Sequence, residues 1–301
     1  MAPLYNIDKL YEAVAQRGHV CVGLDTSPDY IPPSLLRSAS SDAEAILAFN
    51  KTIIDATADS AACFKVQIAY YEAMGRRGLD VYAKTLSAIR EKSLVIADVK
   101  RGDIADTASQ YAKAHFEGDF EADFVTLSPY LGMDSLEPWL AFIHKSGKGA
   151  FVLMKTSNKG SRDFQYLELA GASRFFHAVG DKLTELSQQY MGKYGYGAFG
   201  AVVGVSNTER EEAAAIRKRY GSLFFLIPGY GAQGGAAEEA ALLLLNGNGG
   251  VVNASRSILK AWTLKADAEQ AGKEISCDSV AEAAREAVIG MRDAIQAAVK
   301  K

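Results

Sequence analysis

The stretch Leu94-Val95-Ile96-Ala97-Asp98-Val99-Lys100-Arg101-Gly102-Asp103-Ile104-Ala105-Asp106-Thr107 passes from an apolar run into a knot of charges and then into a helical pattern. An apolar run bounded by charge reads as a buried strand. Side chains on a strand alternate between faces, so Asp98 and Lys100 are expected on the same side. Asp103 follows the strand end, where the chain turns into its next helix. Two carboxylates and an ammonium therefore crowd one strand terminus. A plain ion pair with Asp103 as a helix N-cap would produce the same residues. The remainder of the chain favours a site.

Seven further runs of the same kind flank this one: 19–25 (HVCVGLD), 62–67 (ACFKVQ), 124–128 (FVTLS), 150–157 (AFVLMKTS), 199–205 (FGAVVGV), 224–228 (FFLIP) and 250–255 (GVVNAS). With 93–100 they make eight. Amphipathic segments lie between them at 42–58, 81–91, 104–116, 136–145, 208–220 and 235–246. A last helix at 279–300 carries Val280, Ala284, Ala287, Val288, Met291 and Ile295 on one face, the spacing of a core-facing helix. Strands that alternate with helices pair in parallel through right-handed crossovers. Near-continuous apolar strands are expected where both faces are covered. The predicted fold class is α/β, a (β/α)8 TIM barrel spanning 1–301 as a single domain. A doubly wound open sheet would place a glycine-rich phosphate loop after the first strand. That position reads Gly23-Leu24-Asp25-Thr26. The segment 158–198 exceeds the length of an ordinary connection and is expected to be an insertion between strands five and six. Residues 260–277 form a polar extension before the last helix.

The composition suits a soluble globular chain: 301 residues, 49% hydrophobic, 23% charged and a formal net charge of -3. This slightly acidic balance with scattered basic residues gives no footprint for nucleic acid or an anionic membrane. No apolar run approaches the roughly 20 residues of a bilayer span, and residues 1–16 lack the apolar core of a signal peptide. Cys21, Cys63 and Cys277 are too far apart to suggest a disulfide framework, and a cytoplasmic setting is expected. Cys21 and Cys63 are expected in the core. His19, His115, His144 and His177 show no metal-ligand spacing, and no metal or other cofactor is expected.

In a barrel of this kind, chemistry collects at the carboxyl ends of the strands. Those ends read Asp25; Lys65 and Gln67; Asp98 and Lys100; Lys155 to Asn158; Pro228-Gly229-Tyr230-Gly231-Ala232-Gln233-Gly234-Gly235; and Asn253-Ala254-Ser255-Arg256. Lys65 shares a strand face with Cys63 and Gln67, and a lysine among apolar neighbours needs a partner to stay charged. The adjacent third strand offers Asp98. The glycines at 229, 231, 234 and 235 let backbone amides approach an anion, and a helix follows. Arg256 after the eighth strand adds a planar fork suited to a phosphate.

With these residues in order, the chain resembles the orotidine 5'-phosphate decarboxylase family. DVKRGDIADT fits that family's D-x-K-x-x-D-I-x-x-T signature. GLD, FKVQ, KTSN, PGYGAQGG and NASRSI extend the likeness along nearly the whole chain, and SPYLGMDSLEPW points to its longer, bacterial-type branch. The resemblance implies a carboxy-lyase of pyrimidine biosynthesis that converts orotidine 5'-monophosphate to UMP and CO2. It implies a charged tetrad of Lys65, Asp98, Lys100 and Asp103. It also implies a homodimer with shared sites, in which Asp103 and Thr107 serve the neighbouring subunit. Asp25 would bind ribose, Ser157 the pyrimidine, and Gln233 and Arg256 the phosphate. The sequence leaves two rivals: a related sugar-phosphate decarboxylase or aldolase barrel, and a non-catalytic sensor of nucleotide phosphates.

Overall fold

The computed structural model describes residues 5–170, 173–206, 208–231, 237–264 and 274–300. Eight strands close into a parallel barrel. They are β1 (Val20–Gly23), β2 (Cys63–Gln67), β3 (Leu94–Arg101), β4 (Phe124–Leu127), β5 (Gly149–Lys155), β6 (Phe199–Val203), β7 (Phe225–Ile227) and β8 (Gly250–Ala254). Each pairs with its neighbours in sequence order, and β8 returns to β1 with Val20 beside Val252. β1, β4, β6, β7 and β8 are buried along their whole length. That explains why their sequences lack the polar alternation of a half-exposed sheet.

The helices named here are α1 (Asn6–Arg17), α2 (Asp42–Thr57), α3 (Gly75–Arg90), α4 (Ala105–Phe116), α5 (Glu137–Ser146), α6 (Phe175–Ser187), α7 (Arg210–Arg219), α8 (Ala237–Ala241) and α9 (Cys277–Val299). α2 starts where Ser41 Oγ accepts from the Glu44 amide, a side-chain cap that satisfies one orphan donor of the first turn. α9 buries Val280, Ala284, Val288, Met291 and Ile295, the stripe read from the sequence. Asn6, at the start of α1, bonds Gly147 O through its amide (2.7 Å) and Asp123 Oδ1 through its side chain (3.1 Å). Both partners precede strands, so α1 lies at the amino end of the barrel and leaves the carboxyl end open.

Three expectations need correction. The segment 158–198 is not one insertion. α6 packs on β5 and β6 as an ordinary crossover helix, which leaves 158–174 as the added segment. It contains a short 3-10 turn (Lys159–Asp163) and the paired strands Glu168–Leu169 and Ser173–Arg174. The helix expected over 235–246 is confined, among the described residues, to Ala237–Ala241. The left-handed Asn246 and Gly247 (φ 51° and 75°) then turn the chain into β8. α3 begins at Gly75, six residues before the expected start, because its first turns are polar and partly exposed.

Cys21 and Cys63 face each other in the β1–β2 register as buried free thiols. No helix among the described residues is long and apolar enough to cross a membrane.

Candidate active site

At the carboxyl end of the barrel lies a cavity of about 590 Å³. One side is charged and formed by Asp25, Lys65, Asp98, Lys100 and Thr126. A second is apolar and formed by Leu153, Val202, Leu226 and Pro228. A third is polar and formed by Thr156, Ser157, Asn158 and Gln165, and β8 contributes Asn253 beside Gly23 of β1. A hollow of about 650 Å³ between Arg210, Leu242 and Val299 is larger, yet it gathers no comparable set of titratable groups.

Asp98 is the centre of the charged side. Its Oδ2 accepts from Lys65 Nζ (2.8 Å) and from Gln67 Nε2 (3.0 Å). Its Oδ1 accepts from Lys100 Nζ (2.7 Å) and from Thr126 Oγ1 (2.9 Å). Lys65 reaches a second carboxylate, Asp25 Oδ1, at 3.1 Å. The chain of charges is therefore Asp25, Lys65, Asp98, Lys100, with signs alternating at contact distance. The Lys65 and Asp98 side chains are 5% and 9% exposed, whereas that of Lys100 is 47% exposed. Lys100 is thus the ammonium presented to the cavity.

Burial opposes both inner charges, and their partners outweigh it. Desolvation alone would deprotonate Lys65, but Asp25 and Asp98 hold its pKa well above the usual ammonium value. Desolvation likewise penalises the Asp98 carboxylate. The nearby Lys65 and Lys100 hold it far below the ordinary carboxylate range. Both directions describe an ionised Lys65–Asp98 pair that needs no reorganisation when charge develops beside it.

Regular alternation does not bring Asp98 and Lys100 together. Ala97 pairs with Val125 and Arg101 with Leu127, so four residues advance on β3 while two advance on β4. The surplus is taken up by a bulge in which Lys100 has φ 45°. A left-handed lysine costs on the order of 1–3 kcal/mol and persists only where its surroundings enforce it. Thr126 enforces it: Oγ1 accepts from the amides of Val99 (3.0 Å) and Lys100 (2.9 Å) while donating to Asp98. No motif singles out Thr126 in the sequence. Its one signal is a hydroxyl inside a short buried strand, a group that must find partners.

The other expected residues divide. Ser157 lines the cavity. Behind it stands Gly204, where a Cβ would lie 2.8 Å from both the amide nitrogen and the Cβ of Ser157. Asp103 does not join the ionic chain within this subunit. Its Oδ1 accepts from the Ile104 amide (2.9 Å), and it is not the side-chain cap of α4. Of the two carboxylates expected at this strand end, Asp98 bonds Lys100 within the chain, and Asp103 lies past the bulge. Thr107 is exposed on the first turn of α4, outside the cavity lining. Arg256 is exposed at the start of the short helix Arg256–Leu259, three residues beyond Asn253. Gly229 and Gly231 both adopt positive φ (104° and 76°), as the tight turn after β7 requires. Gln233, Gly234 and Gly235 lie outside the described residues. Gln165, from the added segment, is a wall residue that no sequence pattern announced.

No cluster of three or more His, Cys, Asp or Glu side chains among the described residues is arranged to hold a metal. The array can do one thing well: hold a fixed positive charge, with a transferable proton, at the edge of an apolar cavity.

Comparison with known proteins agrees with that geometry. The sequence profile of the orotidine 5'-phosphate decarboxylase / HUMPS family matches residues 18–271. The orotidine 5'-phosphate decarboxylase of Clostridium perfringens strain SM101 is 54% identical over 295 residues, 98% of this chain and 99% of that one. Its counterpart from Clostridium tetani is 51% identical over 294 residues, covering 97% and 98%. Among solved structures, the Leishmania donovani OMP decarboxylase superposes with a TM-score of 0.76 at 30% identity, covering 99% of this chain and all of that one. The Leishmania donovani UMP synthase gives the same TM-score at 31% identity, and the match covers 57% of that longer chain.

Proposed function

The chain belongs to the orotidine 5'-phosphate decarboxylase / HUMPS family, and we propose that its Asp25–Lys65–Asp98–Lys100 array converts orotidine 5'-monophosphate to UMP and CO2 with Lys100 as the proton donor. The carrying observation is Asp98, which grips both lysines at 2.7–2.8 Å, with Lys65 buried at the cavity wall and Lys100 the more exposed of the two.

In the proposed step the bond between pyrimidine C6 and the carboxylate breaks. Its electron pair remains on C6 and CO2 departs. Lys100 Nζ gives a proton to C6 and regains one from water, so one proton is consumed per UMP formed. The pair on C6 has no conjugated sink, and a cation already in place is the stabilisation available to it. The apolar side strengthens that attraction by excluding water. Asp98 serves by holding the Lys100 ammonium in place through their 2.7 Å contact.

The remaining roles are also proposals. Asp25 takes the ribose hydroxyls and Ser157 the base. Gln233, Arg256 and the glycines at 229, 231, 234 and 235 take the phosphate, whose binding energy helps close the site. The half-buried Asp103 and exposed Thr107, both outside the cavity lining of their own chain, support a homodimer in which each subunit completes its neighbour's site.

The direct test is a spectrophotometric assay of orotidine 5'-monophosphate with and without EDTA. Equal UMP formation in both is expected. Absence of UMP, or turnover abolished by EDTA, would contradict the reading. Mixing Lys100→Ala with Asp103→Ala tests the shared site. Recovered activity is expected, and no recovery after demonstrated subunit exchange refutes it.

A further inference from the structure

Residues 158–174 add length to the barrel without adding a strand or crossover helix to it, and two of them, Asn158 and Gln165, line the cavity. Gln165 is held at its backbone from two sides. Its amide donates to Ser161 O (2.8 Å), and its carbonyl accepts from Phe176 N (3.0 Å) in the first turn of α6. Its carboxamide then closes on Thr156. Oε1 accepts from the Thr156 amide (2.8 Å), and Nε2 donates to Thr156 Oγ1 (2.9 Å). The Thr156 hydroxyl passes its own proton to Asn158 Oδ1 (2.7 Å).

This chain has a polarity. The group at 165 must accept from a backbone amide and donate to a hydroxyl whose proton is already committed. A carboxamide does both, whereas a carboxylate has no proton to give.

The clamp rests on an anchor outside the cavity. Tyr166 donates to Glu212 Oε2 on α7 (2.7 Å), and Arg174 at the far end of the added segment bonds Glu212 Oε1. Lys155, the residue before Thr156, lies 3.8 Å from the same carboxylate. Glu212 thereby ties both ends of the clamp to one helix. Gly204 backs Ser157 from the other side, and its amide donates to Lys155 O (2.8 Å).

We propose that Gln165 is a positioning residue for pyrimidine recognition. It fixes the backbone at Thr156, so that Ser157 meets the base in one orientation, and it gives the 158–174 segment its role as the base-facing wall. This inference rests on the placement of the pyrimidine at Ser157.

The test compares ligands with and without a base. Inhibition constants for UMP and ribose 5-phosphate, with kcat and KM for orotidine 5'-monophosphate, are measured in wild type, Gln165→Ala, Gln165→Glu, Thr156→Val and Thr156→Ser. Gln165→Ala, Gln165→Glu and Thr156→Val are expected to weaken UMP and raise KM by about tenfold, the scale of one or two lost hydrogen bonds. Ribose 5-phosphate should stay within about twofold. Thr156→Ser, which keeps the hydroxyl, should return the wild-type ratio. Equal losses for UMP and ribose 5-phosphate, or no loss for either, would overturn the inference. If Gln165→Ala does not fold, Thr156→Val decides in its place, because it removes the hydroxyl and leaves Gln165 intact. Wild-type protein that forms no UMP would overturn the decarboxylase reading itself, a failure visible before any variant is made.

Discussion

Two lysines at strand ends, Lys65 on β2 and Lys155 on β5, are both buried, at 4% and 1% exposure, and their surroundings push them in opposite directions. Lys65 has two carboxylates at 2.8 and 3.1 Å, and its pKa rises despite burial. Lys155 has its nearest carboxylate at 3.8 Å and packs over the Tyr166 ring with Arg162 and Arg174 nearby, so burial wins and its pKa falls. Lys65 lines the cavity and Lys155 does not. A buried lysine at the catalytic end of a barrel is therefore not in itself a sign of chemistry. What separates the two is the number of carboxylates in contact and whether the chain of charges opens onto the cavity.

The strongest way to break this comparison is to neutralise each lysine in turn. Lys65→Met should lower kcat at least about a thousandfold, as for loss of a preorganised electrostatic group. It also removes the cation shared by Asp25 and Asp98, at a cost of up to about 3–5 kcal/mol, lessened by the contact that Asp98 keeps with Lys100. Lys155→Met should hold kcat within about tenfold and be neutral or stabilising, because burial already opposes that charge. Steady-state kinetics and urea midpoints decide the matter, and similar kcat losses for the two variants would erase the distinction.

Thr126→Val probes how the array is aimed rather than charged. It leaves the amides of Val99 and Lys100 and one oxygen of Asp98 without their shared partner. A fall in kcat of about 10–100-fold is expected, with little change in KM. A change confined to KM would remove Thr126 from the positioning of Lys100.

Gly204→Ala acts on the other side of the cavity, where the new methyl would press on Ser157. KM for orotidine 5'-monophosphate should rise about tenfold while kcat falls less. An unchanged KM would mean that Ser157 is not held by this contact.

The mildest case is a cation beside a neutral partner. Arg101 Nε donates to His115 Nε2 (3.3 Å), and burial followed by the Arg101 charge holds the imidazole pKa down to about 4. The folded value lies below the unfolded one, so the unfolded chain binds this proton more tightly. The contribution is full above about pH 6.5 and declines as pH falls towards 4, by on the order of 2–3 kcal/mol. Between pH 7.5 and 4.5, His115→Gln should lose about 2 kcal/mol less stability than wild type. Equal losses would assign the acid sensitivity elsewhere.

The barrel was legible because each strand is an apolar run bounded by charge, a signal that survives without three-dimensional information. The Lys65–Asp98 pairing was legible for a related reason, since a lysine among buried residues demands a carboxylate on the adjacent strand. The bulge at Lys100 was not, because alternation predicts the same convergence that the bulge achieves by another route. Thr126 was obscured for the same reason: its partners are backbone amides two strand positions out of register. Gln165 follows an irregular segment whose path depends on Glu212, 47 residues later, and local pattern carries no trace of that. Asp103 shows the opposite limit. Its motif position is clear, but within one chain its carboxylate accepts from the amide of the next residue, Ile104, rather than from Lys100.

The central claim is that one ammonium, fixed by Asp98, supplies the charge and the proton at C6. Turnover of orotidine 5'-monophosphate by Lys100→Ala, measured beside wild type on protein of matched thermal midpoint, tests it most directly. The account predicts a kcat lower by at least about a thousandfold with UMP still bound. A folded Lys100→Ala enzyme that turns over within about tenfold of wild type would contradict it.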